Sequence, residues 1–327
     1  MYETEPGTRP GQERFVAPID ETPLRAIDAI DVDAVPENQW KEAWKRLRSA
    51  PLFWISVVIL FVIALMIFFP TLFTDQDPKS ASLSNSFEPA SEGHPFGFTQ
   101  QGADVWARTV YGARASVAVG LITTILTALL GMVTGAIAGF YGGIFDTLLS
   151  RLSDIFFSIP LLLAAIVVIS VLNNIQPDRG FWASVMVVVL ALALFAWPQI
   201  TRQMRGAVLE TKNLEFVDAA TAIGASRMKN LWRHIVPNAL APVIVASTIS
   251  LGVFIVAETS LSFLGLGLPP SVASWGNDLS AAQNQVRSGE HLRVMYVPAA
   301  ALAMTVLGFI LLGEAVREAL DPKARKK

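Results

Sequence analysis

Apolar, nearly uncharged stretches of about 18–25 residues recur along this chain, each long enough to cross a ~30 Å hydrocarbon layer as a helix. Inside such a layer there is no water to satisfy backbone N–H and C=O groups. The chain must bond to itself, and a helix does so within one segment. Six spans are expected, over residues 52–72, 116–140, 155–172, 182–200, 239–257 and 296–312, which makes this an all-α polytopic membrane protein. Composition agrees. Hydrophobic residues make up 53% of the chain and charged residues only 16%, against about 25% in soluble domains.

Several function classes drop out. There are no cysteines, so no disulfide framework, zinc-thiolate site or thiol nucleophile is possible. His94, His234 and His291 lie far apart, which argues against a histidine metal cluster. A net charge of −2 gives no electrostatic footprint for nucleic acid. No Gly-x4-Gly-Lys-[Ser/Thr] phosphate loop occurs, so nucleotide is not cradled in that way by this chain. The first apolar run is too long for the core of a removable signal peptide.

Residues 1–38 carry Pro6, Pro10, Pro18, Pro23 and Pro36 with a surplus of Asp and Glu, and read as a solvated, disordered tail. In residues 39–51, Trp40, Trp44 and Leu47 share one helical face with basic residues on the others. That suits a helix lying on a membrane surface or a basic flank to the span over 52–72. With the amino terminus inside, the inside segments hold sixteen Lys and Arg outside the 1–38 tail, and the outside segments six. The bias toward positive cytoplasmic segments then places both termini in the cytoplasm. Residues 73–115 become an extracytoplasmic segment, and 323–327 a basic cytoplasmic tail.

Gly131, Gly135 and Gly139 form a stripe at every fourth position of the second span. Such a stripe lets another helix approach closely, where packing replaces the missing hydrophobic drive; glycine is also simply common in membrane helices. Asp146, Arg151 and Asp154 read as a solvated inside rim, within which Arg151 could pair with either acid. Trp182 and Trp275 read as aromatic anchors at the outer interface.

The longest inside loop covers 201–238, and its centre, 214–237, is amphipathic. Phe216, Ala219, Ala220 and Ile223 recur at helical spacing. Gly224 follows the last of them, where a left-handed residue would end the helix. Ser226 can cap a second helix with the apolar stripe Met228, Leu231, Trp232 and Ile235, which Pro237 is expected to terminate at the membrane. Two short helices at an angle need a surface to cover their stripes: either the chain's own membrane domain or another subunit.

The order Asp218-Ala219-Ala220, three residues, Gly224, Ala225, Ser226 and Pro237 thirteen positions after the glycine resembles the coupling loop of ATP-binding-cassette import permeases. Asp218 stands where that family usually has Glu, keeping the charge on a shorter arm. His234, in the run 233–238, resembles the peptide-permease branch and is more simply a structural marker than a ligand. Three further stretches are similar to the C-type permease subunit of dipeptide, oligopeptide and nickel importers. They are residues 40–51, His94-Pro95-Phe96-Gly97 through Tyr111-Gly112-Ala113-Arg114, and 260–276 with 312–322. The likeness covers 40–322. The chain departs from the pattern at Phe98, Thr99 and Ala103, losing an Asp and an Arg.

The resemblance implies a type I importer permease fold over 116–322, in a bacterial cytoplasmic membrane, without catalysis of its own. It implies a heterodimer with a second permease subunit, two ATPase subunits that bind ATP and Mg, and an extracytoplasmic solute-binding protein. The expected mechanism is alternating access, with peptide as cargo; nickel or haem are the alternatives within the family. No cofactor is expected in this chain. Glu258, at the far end of the fifth span, is a candidate for lining the pathway and meeting a peptide amino group, or for pairing with the partner chain. An ion-coupled secondary transporter is the rival class. Such carriers tend to have several intramembrane carboxylates or repeated halves, whereas here Glu258 stands nearly alone.

Overall fold

The computed structural model describes residues 39–175 and 179–320. The tails expected over 1–38 and 323–327 lie outside the described residues. Among those described, the chain is helical, with only isolated β-bridges besides. Five helices are long and apolar enough to cross a membrane, and a sixth span is available as a bent pair.

A short helix, α1 (Gln39–Leu47), precedes α2 (Pro51–Phe68). Pro51 starts α2 at the one position where a missing N–H costs nothing. The chain then runs through a compact, mostly irregular segment. Bridges Ala81 to Ala103 and Phe98 to Asp104 fold this segment back onto the start of α3 (Val105–Tyr141). Asp104 caps α3 by accepting from Ala107 N at 2.5 Å, and its other oxygen bonds His94 Nδ1 at 2.7 Å. The helix therefore begins eleven residues before the expected start at 116, because Asp104 supplies a cap that a hydropathy reading does not register.

The third span departs further from expectation. Residues 155–172 are not one helix: α4 (Gly143–Ser158) and α5 (Leu161–Ile175) meet at an 84° bend. Pro160 sits at the break, and the residue before a proline is pushed out of the helical region. Ile159 accordingly adopts an extended conformation.

Next come α6 (Phe181–Thr211), α7 (Glu215–Ala222), α8 (Arg227–Lys229), a π segment over Asn230–Ile235 and α9 (Val236–Phe263). Two short helices, α10 (Trp275–Ala281) and α11 (Gln283–Ser288), lead to α12 (Arg293–Leu320). α6 runs on to Thr211, so what was expected as a loop from 201 is helix for its first third.

The largest helix interface joins α3 and α6. A Cβ added at Gly131 would lie 2.5 Å from Ile200 Cβ, one at Gly135 would meet Thr201 O, and one at Gly139 would lie 2.9 Å from Arg205 O. Bare glycine backbone thus lies directly on the backbone of α6. Thr134 and Thr201 add a hydroxyl contact of 2.8 Å across the same seam. Trp275 is not an interfacial anchor. It is fully buried in the cluster with Val110, Ala113 and Ile255, and its Nε1 donates to Thr109 O at 2.9 Å. Trp182 is half exposed and, with Phe181, flanks the Arg114 guanidinium.

Candidate functional site

The helical turn after α6 carries both buried and exposed apolar residues. Lys212 closes α6 and reaches Gly139 O with Nζ at 2.9 Å, fixing where the chain turns. Leu214 is extended and α7 begins. On α7 the inward residues are Val217 and Ala220, both buried. Phe216, Ala219 and Ile223, grouped with Ala220 on one apolar face in the sequence reading, point elsewhere. Phe216 is 41% exposed, Ile223 88% exposed, and Ala219 and Asp218 are exposed too. Eight residues make barely two turns, so a one-residue choice of inward side chain rotates the whole face.

Gly224 ends α7 at φ +90°, with Gly224 N donating to Thr221 O at 3.0 Å and Ala225 N to Ala220 O at 3.0 Å. These two bonds satisfy carbonyls that the helix end would leave unpaired. No neighbour lies within 4 Å of a Cβ built on Gly224. The requirement for glycine here comes from its own backbone, not from a clash. Ser226 then caps α8, its Oγ accepting from Lys229 N at 3.4 Å.

Pro237 does not end a second helix. α8, the π segment and α9 form one continuous helix over Arg227–Phe263. Proline removes the N–H that would bond Arg233 O and crowds that carbonyl. The wider π turn over Asn230–Ile235, immediately upstream, makes room for it without a break. On this continuous helix Leu231 and Ile235 are fully buried, in a cluster with Ala136, Ile200, Met204, Val208 and Val217. Met228 and Trp232 remain exposed, joined by Trp232 Nε1 to Met228 Sδ at 3.1 Å. Asn230 Nδ2 donates to Thr221 Oγ1 at 2.8 Å and ties α7 to the long helix.

The amphipathic loop therefore has covered residues and exposed apolar ones. Val217, Ala220, Leu231 and Ile235 are covered by the chain's own membrane domain. Phe216, Ile223, Met228 and Trp232 are exposed apolar side chains, and Asp218 and Ala219 are exposed too; Met228 and Trp232 border a hollow with Ile137, Tyr141 and Phe145.

At the neighbouring rim, Asp146 does not pair with Arg151. Arg205 takes it through Nε to Oδ1 at 2.5 Å and Nη2 to Oδ2 at 2.7 Å, while Arg151 and Asp154 make only an exposed 4.0 Å contact. A separation of 59 residues leaves no trace in local sequence.

Glu258 stands apart from the turn. It is fully buried near the far end of α9, with Ser262 Oγ donating to Oε1 at 2.8 Å and Thr259 Oγ1 at 3.5 Å from Oε2. Leu268 N donates to the same Ser262 hydroxyl. A Cβ on Gly276 would sit 2.6 Å from Ser262 Cβ, so the chain after α9 folds tightly over this carboxyl. The Ser262 and Thr259 hydroxyls and, from α3, that of Ser116 surround the Glu258 carboxyl. Sequence reasoning also did not find the Arg108–Asp278 pair, Nε to Oδ1 at 2.7 Å across 170 positions.

Comparison with known proteins gives a consistent assignment. Residues 131–326 match the family described as binding-protein-dependent transport system inner membrane component. Residues 38–90 match the N-terminal TM domain of oligopeptide transport permease C. The oligopeptide transport system permease protein OppC of Bacillus subtilis is 34% identical over 301 residues, covering 92% of this chain and 95% of that protein. The glutathione transport system permease protein GsiD of Shigella sonnei is 34% identical over 303 residues, covering 92% and 96%. Among solved structures, the inward-facing MetNI methionine ABC transporter in its native crystal form aligns with TM-score 0.52 and 22% identity. The alignment covers 65% of this chain and 96% of that one, a likeness of fold.

Proposed function

This chain belongs to the binding-protein-dependent inner-membrane permease components of ABC importers, and from that premise we propose that it is one half of a peptide-conducting permease, driven through the turn over 214–226. The observation that carries the reading is the division of that turn into an anchored face and an open one. Val217, Ala220, Leu231 and Ile235 hold it to the membrane domain, so a force on the open face is passed on instead of being absorbed by a flexible loop. Phe216, Ile223, Met228 and Trp232 offer that open face to an ATPase subunit, with Asp218, Ala219, Gly224, Ala225 and Ser226 shaping its edge.

The partners in this reading are two ATPase subunits that bind ATP and Mg, a second permease chain, and a solute-binding protein on the opposite side. The chain contributes positioning and motion, with no reaction of its own. The turn and both termini lie in the cytoplasm, as the excess of Lys and Arg on those segments favours. Peptide is the cargo favoured by the oligopeptide and glutathione permeases among the relatives.

Reconstitution with the two ATPases and the binding protein tests this. Dialanine uptake should require ATP and survive collapse of the proton gradient, and nickel should not be taken up. Asp218→Lys and Ile223→Asp should each lower uptake at least ~10-fold, a loss equivalent to about 1.4 kcal/mol of coupling, while the complex still assembles. Wild-type uptake by both variants would remove the turn from the mechanism.

A further inference from the structure

Among the five membrane-length helices α2 is the least buried, with only Ser56, Ile63 and Met66 enclosed. Between it and α3 runs a groove of about 580 Å³, to which α12 adds Phe309 and α6 adds Trp182. On α3 the lining runs from Arg114 to Ile122, and on α2 from Leu60 to Phe68. Either stretch is about 12 Å long at 1.5 Å per residue, most of the depth of one leaflet in a ~30 Å hydrocarbon layer. Phe68 ends α2, and Arg114 lies within the first three turns of α3. The arginine therefore belongs to the end where residues 69–104 join the two helices.

Arg114 is the one charged group in this lining. It is exposed, and no carboxylate among the described residues pairs with it. An arginine in a spanning helix is rare and ordinarily meets a partner or a polar space. What holds this one is aromatic. Its guanidinium carbon lies 5.5 Å from the Phe181 ring centre and 5.6 Å from that of Trp182. Rings attract a cation without neutralising it. A fixed positive charge thus sits at one end of an apolar groove and still lacks an anion.

In a bilayer such a groove is covered by a helix of another subunit or by a lipid, and width decides between them. The volume spread over about 12 Å gives a mean cross-section of about 50 Å², whereas a helix about 10 Å across fills about 80 Å². A single hydrocarbon chain is narrower than either. Charge points the same way, because a phosphate suits the fork of a guanidinium. A headgroup carrying its own cation would set like charge against Arg114; an anionic headgroup does not.

We propose that this groove binds an anionic phospholipid, with one acyl chain lying between α2 and α3 and the phosphodiester meeting Arg114. With the amino terminus inside, as in the reading above, the lipid belongs to the extracytoplasmic leaflet. It fills the space between the first span and the core.

Native mass spectrometry of the assembled transporter, titrated in mild detergent with dioleoyl phosphatidylglycerol or dioleoyl phosphatidylcholine, counts the lipids held. Phosphatidylglycerol should occupy the site at least ~10-fold more tightly than phosphatidylcholine, the scale of a hydrogen bond to a charged group. Arg114→Gln should lose one tightly bound phosphatidylglycerol, and Arg114→Lys should recover part of the affinity, since lysine keeps the charge without the fork. Leu121→Trp, at an exposed position far along the groove from Arg114, should weaken the same lipid at least ~10-fold with the guanidinium in place. Glycerol phosphate, a headgroup without chains, should not displace it at equal concentration. The site is overturned by equal binding of the two lipids, by an unchanged count in Arg114→Gln or Leu121→Trp, or by displacement with glycerol phosphate. A wild-type transporter that holds no phosphatidylglycerol also overturns it, as expected of a groove filled by a partner helix.

Discussion

Arg205 and Asp146 form a two-pronged contact, Nε to Oδ1 and Nη2 to Oδ2, that pins the start of α4 to the last turns of α6. Both side chains are partly exposed, so the pair should contribute about 1 kcal/mol, the upper end for pairs open to solvent. A double-mutant cycle with Asp146→Asn and Arg205→Gln, followed by thermal unfolding in detergent, should return a coupling of that size. Additive losses would mean that α4 is held by other contacts.

The α3–α6 seam predicts opposite outcomes for glycines on the same helices. At Gly135 an added Cβ meets Thr201 O and Arg205 N, backbone atoms that cannot step aside. Gly135→Ala should therefore cost about 1–3 kcal/mol through overpacking. Gly206, on the exposed side of α6, has nothing within 4 Å, and Gly206→Ala should be neutral or stabilise by up to ~1 kcal/mol. Melting temperatures of the two variants, measured side by side, decide the matter. Equal shifts would contradict the packing described.

Gly224 tests backbone strain without sterics. Its φ of +90° is open to glycine and tolerable for asparagine, while valine there is strained by about 1–3 kcal/mol. Gly224→Val should lower ATP-driven uptake, and Gly224→Asn should recover most of it. If both variants lose uptake alike, side-chain bulk at the docking surface, and not φ, is the cause.

Trp275 should behave as a core residue. Trp275→Phe leaves Thr109 O without the indole donor and should cost about 1–3 kcal/mol. Trp275→Ala should cost about 3–5 kcal/mol. A Trp182→Ala change, at a half-exposed position, should cost less than either. Detergent unfolding curves of the three variants would show whether that order holds.

Membrane sidedness is directly accessible because the chain has no cysteine of its own. Ser84→Cys, in the segment before α3, should react with an impermeant maleimide from outside intact cells. Ala222→Cys, at the exposed end of α7, should react only after the membrane is opened. The reverse pattern would invert the topology.

What the sequence made legible was whatever depends on local pattern. Apolar runs located five long helices but read the bent pair around Pro160 as one straight span over 155–172, and the step from Ile223 to Gly224 located the turn, because a left-handed residue after an apolar stripe has few alternatives. Three kinds of feature were hidden. Helix ends governed by caps, such as Asp104, carry no hydropathy signal. Pro160 and Pro237 look alike in sequence, yet one sits at an 84° bend and the other is absorbed by a π turn, since the outcome depends on the neighbouring turns. Tertiary pairings, Asp146 with Arg205 and Asp278 with Arg108, join positions too distant for any local pattern to register. Trp275 misled for a related reason: an indole near a span end fits an interface or a core equally well until its N–H finds a partner.

The uninterrupted helix Arg227–Phe263 spans about 55 Å at 1.5 Å per residue. Met228 lies near one end, in the turn proposed to meet an ATPase subunit, and Glu258 lies buried near the other. The π turn over Asn230–Ile235, Pro237 and Pro242 are all gathered toward the Met228 end, the places where a helix bends, and the stretch from Val243 to Glu258 is one unbroken arm. If the turn is driven as proposed, a stroke that reaches Val243 appears as a tilt at Ser262, one residue before the helix ends. Beyond Val243 the timing would then rest on the stiffness of that one arm, with no relay of separate parts.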